Sequence, residues 1–218
     1  MSRMPRIAIG LCALVMFIIT PSVKADPVQI TLGQVFVGIS GNTTSFTLMG
    51  SDFTVNSTGA APGTNPSCSP CTSGTPISIS NSIGTNLGMG SATINGTTFN
   101  NIFFVGTFNF AVQDIVLPVL PDGLIGVQIE PPVTFTGTIR GCLDAACTTE
   151  VFSVTELAGA GFAKAAFTFI GNQNGVSLFT PTSLRYDLRE IPEPMTVMLL
   201  ASGLVGLGVR LRGRRKIS

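Results

Sequence analysis

The chain of 218 residues has no histidine and no tryptophan, a single tyrosine, and only 11% charged residues. Each shortage excludes a class of chemistry. Without histidine there is no common general base, no Ser-His or Cys-His nucleophile pair and no His-dependent metal site. Without tryptophan, and with Tyr186 the only tyrosine, the usual aromatic platforms for sugar rings are missing, while Phe103, Phe104, Phe108 and Phe110 have the spacing of core strands. Cations are scarce between Asp26 and Glu190, where Arg140, Lys164, Arg185 and Arg189 face ten acids, so the body has no nucleic-acid footprint. Asp52, Asp114, Asp122 and Asp144 are scattered, with no acidic loop to supply calcium with oxygens, and neither a metal nor a cofactor is expected.

What survives as catalytic material is thin. Glu130 with Glu150 or Glu156 could act as acid and base on a glycoside, and Lys164, the body's only lysine, could serve a serine as base. No motif surrounds any of them, and a solvated side chain is the ordinary role for each. A non-enzymatic protein is expected.

The body reads as strands. Val133-Thr134-Phe135-Thr136-Gly137-Thr138-Ile139-Arg140 alternates apolar with polar, placing Val133, Phe135 and Ile139 on one face and three threonines on the other. Comparable segments are Val28 to Ile39, Phe46 to Val55, Pro76 to Ser80, Phe103 to Val112, Gly126 to Glu130, Val151 to Thr155, Ala165 to Ile170 and Leu184 to Leu188. Asn95-Gly96 between Ser91–Ile94 and Thr97–Phe99 marks a two-residue hairpin, since both residues tolerate the positive φ of a type I′ turn. Many glycines, with Phe, Val, Ile and Thr in place of Ala, Glu, Leu and Lys, argue against helices. A short helix competes only at Thr155 to Lys164, where Gly159 and Gly161 interrupt good helix formers. The expected fold is all-β, one β-sandwich-like domain over residues 26–190. The Thr134, Thr136 and Thr138 hydroxyls form a row, but a flat binding face needs such rows on adjacent strands, and the sequence alone shows none.

Four cysteines in the body form two close pairs, Cys68 with Cys71 and Cys142 with Cys147. Two disulfides are the simplest count for an exported chain. Three connectivities are open, and local pairing is favoured because Cys142 and Cys147 flank a turn, within the ~5.5 Å Cα separation a bridge needs. A redox role for Cys68-Ser69-Pro70-Cys71 would require a helix to activate the first sulfur, and Thr72-Ser73-Gly74-Thr75-Pro76 follows instead. Zinc held by four sulfurs is an outside alternative.

Both ends look like addresses. Arg3 and Arg6 precede an apolar core from Ile7 to Thr20, and Val23-Lys24-Ala25 supplies small residues for cleavage between Ala25 and Asp26, so residues 1–25 are expected to be a signal peptide handled by the secretory translocon and signal peptidase. At the other end, residues 191–218 hold Pro192-Glu193-Pro194, an apolar run from Met195 to Val209, and a basic tail over 210–218 with Arg210, Arg212, Arg214, Arg215 and Lys216. The prolines forbid helix and keep the chain extended. The run of residues 195–209, if helical, spans about 22 Å against a hydrocarbon core of about 30 Å, a short transmembrane helix with cytoplasmic cations behind it.

Pro192-Glu193-Pro194, Thr196, Leu199-Leu200, Gly203-Leu204, Gly206-Leu207 and Arg214-Arg215-Lys216 resemble the PEP-CTERM sorting signal of Gram-negative bacteria, a motif also labelled an ice-binding protein C-terminal domain. Ile191 stands where valine is common. The resemblance implies recognition by an exosortase-type membrane protease, transient anchoring in the inner membrane, and passage to the cell surface or extracellular matrix. It covers the tail alone. The expectation is an exported, non-enzymatic surface or matrix protein. A polysaccharide-binding module is the first alternative, with extracellular polysaccharide as partner, and a two-carboxylate glycoside hydrolase is the second.

Overall fold

The computed structural model describes residues 27–38, 44–60, 68–121 and 123–190. The expected signal peptide with its Ala25/Asp26 junction, Pro192-Glu193-Pro194, the apolar run and the basic tail lie outside the described residues. The described body is all-β, with thirteen strands: β1 Val28–Gln29, β2 Leu32–Val37, β3 Thr44–Met49, β4 Phe53–Ala60, β5 Cys71–Thr72, β6 Pro76–Ile77, β7 Asn81–Ile94, β8 Thr97–Val112, β9 Ile115–Val116, β10 Gly126–Ile129, β11 Pro132–Cys142, β12 Glu150–Gln173 and β13 Val176–Arg189.

Eight of these strands close a barrel. The antiparallel order runs β12-β11-β8-β7-β4-β3-β2-β13, and β13 returns to pair with β12. The sandwich-like arrangement expected from the sequence is therefore replaced by one sheet closed on itself. Alternation tells which face of each strand is apolar, and that is the same for a sandwich and a barrel. The difference lies in whether the last strand finds the first. Length makes the closure possible, because β12 runs for 24 residues and holds β11 and β10 on one side with β13 and β1 on the other. Val151 to Thr155 and Ala165 to Ile170, read from sequence as two strands, are parts of this one. Phe46 to Val55, read as one strand, is instead a hairpin that turns at Gly50, Ser51 and Asp52.

The stretch from Thr155 to Lys164, where a helix could compete, is strand throughout. Its inward positions Leu157, Gly159, Gly161, Ala163 and Ala165 are mostly small, which leaves room for aromatic rings from neighbouring strands. Gly161 is required by close approach: a Cβ there would collide with the backbone carbonyl of Asp187 on β13. Asn95-Gly96 forms the predicted turn between β7 and β8, with φ of 49° and 78°. A second such turn, Asn174-Gly175, joins β12 to β13.

Eight strands enclose a space that side chains just fill, and here phenylalanines do so. Phe46 meets Phe108 edge-on at 5.0 Å, Phe108 meets Phe135 at 5.4 Å, and Phe110 stacks on Tyr186 at 4.1 Å with the planes 4° apart. The Tyr186 hydroxyl, fully buried, donates to the Ile79 carbonyl at 2.6 Å. Val133, Phe135 and Ile139 are in the core, as their alternation requires. Thr107, Asn109, Thr134 and Thr136, outward on β8 and β11, are exposed.

The barrel has two distinct ends. One carries the turns at 50–52 and 95–96 together with Pro27 and Glu190, since Val28 and Arg189 both pair with the same part of β12. The other is closed by β5, β6 and β9. There Ser73 N donates to Ser177 O and Ser177 N to Ser73 Oγ, both at 2.9 Å, while Ser177 Oγ donates to Asn172 Oδ1 at 2.8 Å and accepts from Leu120 N at 2.9 Å.

Burial raises the Tyr186 phenol well above its ordinary value, against a smaller opposing hydrogen bond with Asn81. Because the folded state holds the neutral form, this contribution to stability is complete below the unfolded phenol's pKa of about 10 and is lost as pH rises above it. Tyrosinate absorbance, which reads this one side chain, is expected to appear only together with loss of the β circular-dichroism signal. Ionisation near its ordinary pH with the barrel intact would contradict the buried placement. Tyr186→Phe, which leaves the Ile79 carbonyl without its donor, should cost about 1–2 kcal/mol in urea unfolding.

Candidate functional site

The outer face of β10, β12, β13 and β2 gathers side chains that are remote in sequence. Phe36 lies opposite Arg185, and Arg185 opposite Lys164. One step along, Ser183 lies opposite Ala166, and Ala166 opposite Gln128. Since Leu184, Tyr186, Ala165 and Phe167 are buried in the core, their sequence neighbours point outward. Ala166 has only a methyl group, so it forms a floor, and Phe36, Lys164, Arg185, Ser183 and Gln128 stand around it. They enclose a groove of about 230 Å³. The register slips at this point, between Ala166 and Phe167, leaving Thr182 as an extra residue whose hydroxyl donates to the Ala166 carbonyl at 3.1 Å. Such bulges bend a strand and re-aim its side chains.

Charge is concentrated on the same face. Of the four cations among the described residues, Lys164, Arg185 and Arg189 lie here. Asp187, only 8% exposed, joins two of them: Arg185 Nη2 donates to it at 2.8 Å with Nε 2.7 Å away, and Lys164 Nζ lies 3.2 Å away. Glu130 Oε1 is 3.9 Å from the same ammonium and accepts from Gln128 Nε2 at 2.7 Å. The guanidinium of Arg185 covers the ring of Phe36 at 5.4 Å, and Arg189 covers Phe162 at 6.0 Å. Both rings remain exposed, at 44% and 42%.

The carboxylates singled out by sequence are not brought together. Glu130 belongs to the network just described, Glu150 pairs with Arg140 at 3.7 Å, and Glu156 lines a different groove. Along β12, eight residues or about 26 Å of strand separate Glu156 from Lys164. Glu130 and Asp187 converge with the Lys164 ammonium between them, where a glycosidic oxygen would have to sit, and Asp52 and Glu190, not singled out as a pair by sequence, line one groove at the barrel end. Among the described residues no group of three or more Cys, Asp or Glu is arranged to hold a metal ion.

The threonine row has neighbours after all. Thr136 lies beside Asn109, which lies beside Ser82, and Thr138 lies beside Thr107. Ser82 Oγ donates to Asn109 Oδ1 at 2.8 Å, and the Thr107 and Thr138 hydroxyls are 3.3 Å apart. Sequence reading missed this because Ser82, Thr107 and Thr138 come from three strands whose register is a tertiary fact. A groove of about 360 Å³ runs along it. A third, of about 560 Å³, opens at the barrel end bearing Pro27 and Glu190.

The cysteines pair locally, Cys68 with Cys71 and Cys142 with Cys147, at Cα separations of 4.8 and 5.0 Å. The first bridge closes the turn leading into β5, which pairs with β13 where Cys71 lies opposite Phe179. The second closes a loop organised by Asp144, whose carboxylate accepts from Thr148 Oγ1 at 2.7 Å and from the amides of Thr148 and Thr149 at 3.1 Å. These bonds, the Thr148 side chain foremost, hold the Asp144 carboxyl below its ordinary value.

Asp187→Asn should destabilise the barrel by about 1–3 kcal/mol in chemical unfolding, by weakening charge-assisted bonds and leaving Arg185 and Lys164 facing each other; an unchanged midpoint would remove Asp187 from its role in joining them. The Asp144 contribution, with its lowered folded pKa, is present above the ordinary aspartate range and lost as pH falls through the folded value. The Thr148 and Thr149 amide shifts should therefore titrate with a midpoint below ordinary aspartate, and an ordinary midpoint would show the bonds to be absent. Compared with protein-family models, with curated proteins and with solved structures, the chain finds no match.

Proposed function

We propose that the chain is the precursor of an exported, non-enzymatic cell-surface or extracellular-matrix protein, with the β-barrel as the delivered part and the two terminal segments as removable addresses. The observation that carries this reading is that Pro27 and Glu190 leave the barrel at one end, beside the same stretch of β12. Cleavage after Ala25 and near Pro192 to Pro194 would leave every strand in place. Two local disulfides suit an oxidising destination, and the tail, which resembles a PEP-CTERM signal, would anchor the precursor until an exosortase-type protease releases it. The interior is filled with aromatic rings, so the surface left to work with is the outside of the barrel. A polysaccharide-binding role is the favoured variant of this reading, on the strength of the exposed ring and convergent polar groups around Ala166.

Intact-mass measurement on protein recovered from its own host tests the proposal. The culture medium should yield a species that begins at Asp26, ends near Pro192 to Pro194 and carries two disulfides, while the membrane fraction retains the longer C-terminus. Full-length protein in the cytosol with free thiols would overturn it.

A further inference from the structure

We infer that the groove over Ala166 binds the carboxylate-bearing sugar units of an acidic polysaccharide, an inference that rests on reading the barrel as a binding module. Three properties of the groove point to that chemistry. The first is charge placement. Between Asp26 and Glu190 the chain has four cations against ten acids, so a polyanion is repelled by most of the surface, and three of the four cations stand on this one face. Within the barrel, even with Asp187 and Glu130 on the same face, this is where a negatively charged chain meets the most cations.

The second is the pairing of a ring with a cation. Phe36 is exposed and lies under the Arg185 guanidinium at 5.4 Å, so the apolar C–H groups of a sugar can pack on the exposed part of the ring while its charged substituent reaches the cations. Gln128 and Ser183 are set on the far side of the Ala166 floor, and supply a carboxamide and a hydroxyl for ring hydroxyls. At about 230 Å³ the groove is smaller than the ~300–1,000 Å³ of enclosed small-molecule pockets, which suits one unit of a chain that continues past it on both sides.

The third is that the cations are already drawn to a carboxylate. Asp187 Oδ2 accepts one hydrogen bond from Arg185 Nη2 at 2.8 Å, and the carboxylate forms ion pairs with Arg185 Nε at 2.7 Å and Lys164 Nζ at 3.2 Å. This internal carboxylate holds both side chains near the groove, so less rotamer freedom remains to be lost on binding. Arginine carries five donors and lysine three, more than Asp187 and Glu130 engage on the groove side. Lys164 and Arg185 are 29% and 31% exposed, open to a ligand yet held in place.

The test uses the purified full-length chain in mild detergent, so it does not depend on export or tail cleavage, which the mass measurement judges separately; the basic tail is common to the parent and every groove variant, so the groove is read from the difference between them. Binding is followed by co-sedimentation or calorimetry with a soluble polyuronate, with neutral dextran, and with a sulfated dextran of matched charge density. The expected result is polyuronate binding that weakens with salt, no retention on neutral dextran, and weaker retention on the sulfated polymer. Phe36→Ala and Lys164→Gln should each weaken polyuronate binding by at least about tenfold, with Gln128→Ala as a milder third variant; circular dichroism confirms that each remains folded. The inference is overturned if polyuronate is not bound, if the sulfated polymer binds equally well, or if folded Phe36→Ala binds as the parent does.

Discussion

Pairing of β13 with β12 holds the molecule in its form. Their ladder runs from Ala160 opposite Arg189 to Gln173 opposite Val176, and without it the eight strands would be an open sheet with two exposed edges, a template for aggregation. Closure removes those edges and creates an interior of fixed width. That width in turn dictates small residues on the inner face of β12, where Gly161 must admit the backbone of β13, and aromatic ones opposite. The same pairing sets Lys164 beside Arg185 and Phe162 beside Asp187 on the outside. One ladder therefore governs both the core and the charged face.

Inside and outside are thus divided by strand alternation into separate tasks. The interior is spent on stability, with Phe46, Phe108, Phe110, Phe135 and Tyr186 in ring contact and the one phenolic hydroxyl satisfied by a backbone carbonyl. The exterior is rich in threonine, serine and asparagine and low in charge, except where β10, β12, β13 and β2 meet. The function proposed for the chain uses the exterior alone. It follows that substitutions around Ala166 can alter binding at little cost to folding, while Asp187, nearly buried under the cations it joins, belongs to both.

Several features were legible along the chain because they depend on neighbours a few residues away. Asn95-Gly96 announces its turn, since few residue pairs accept two positive φ angles in succession. Val133, Phe135 and Ile139 announce an inner face by period alone, and Cys142 and Cys147 lie close enough in sequence to pair through one turn. Others were hidden for an equally physical reason. Thr155 to Lys164 reads ambiguously because its glycines break a helix and weaken a strand alike, and only the backbone of β13 against Gly161 explains them. The groove over Ala166 could not be seen, because Phe36, Gln128, Lys164 and Arg185 have nothing in common until the register makes them adjacent.

Residue order by itself determined that the body is β-rich, which side of its strands is apolar, where the Asn95-Gly96 hairpin turns, and that histidine chemistry is excluded. Local patterning fixes those properties, since period, turn chemistry and composition act over a few residues. Tertiary structure alone decided that the sheet closes into a barrel instead of stacking as two layers, that the threonine row has companions, and that three scarce cations share one face with an exposed ring. Closure and register depend on which distant strands satisfy one another's hydrogen bonds, and that choice is made by the whole fold at once.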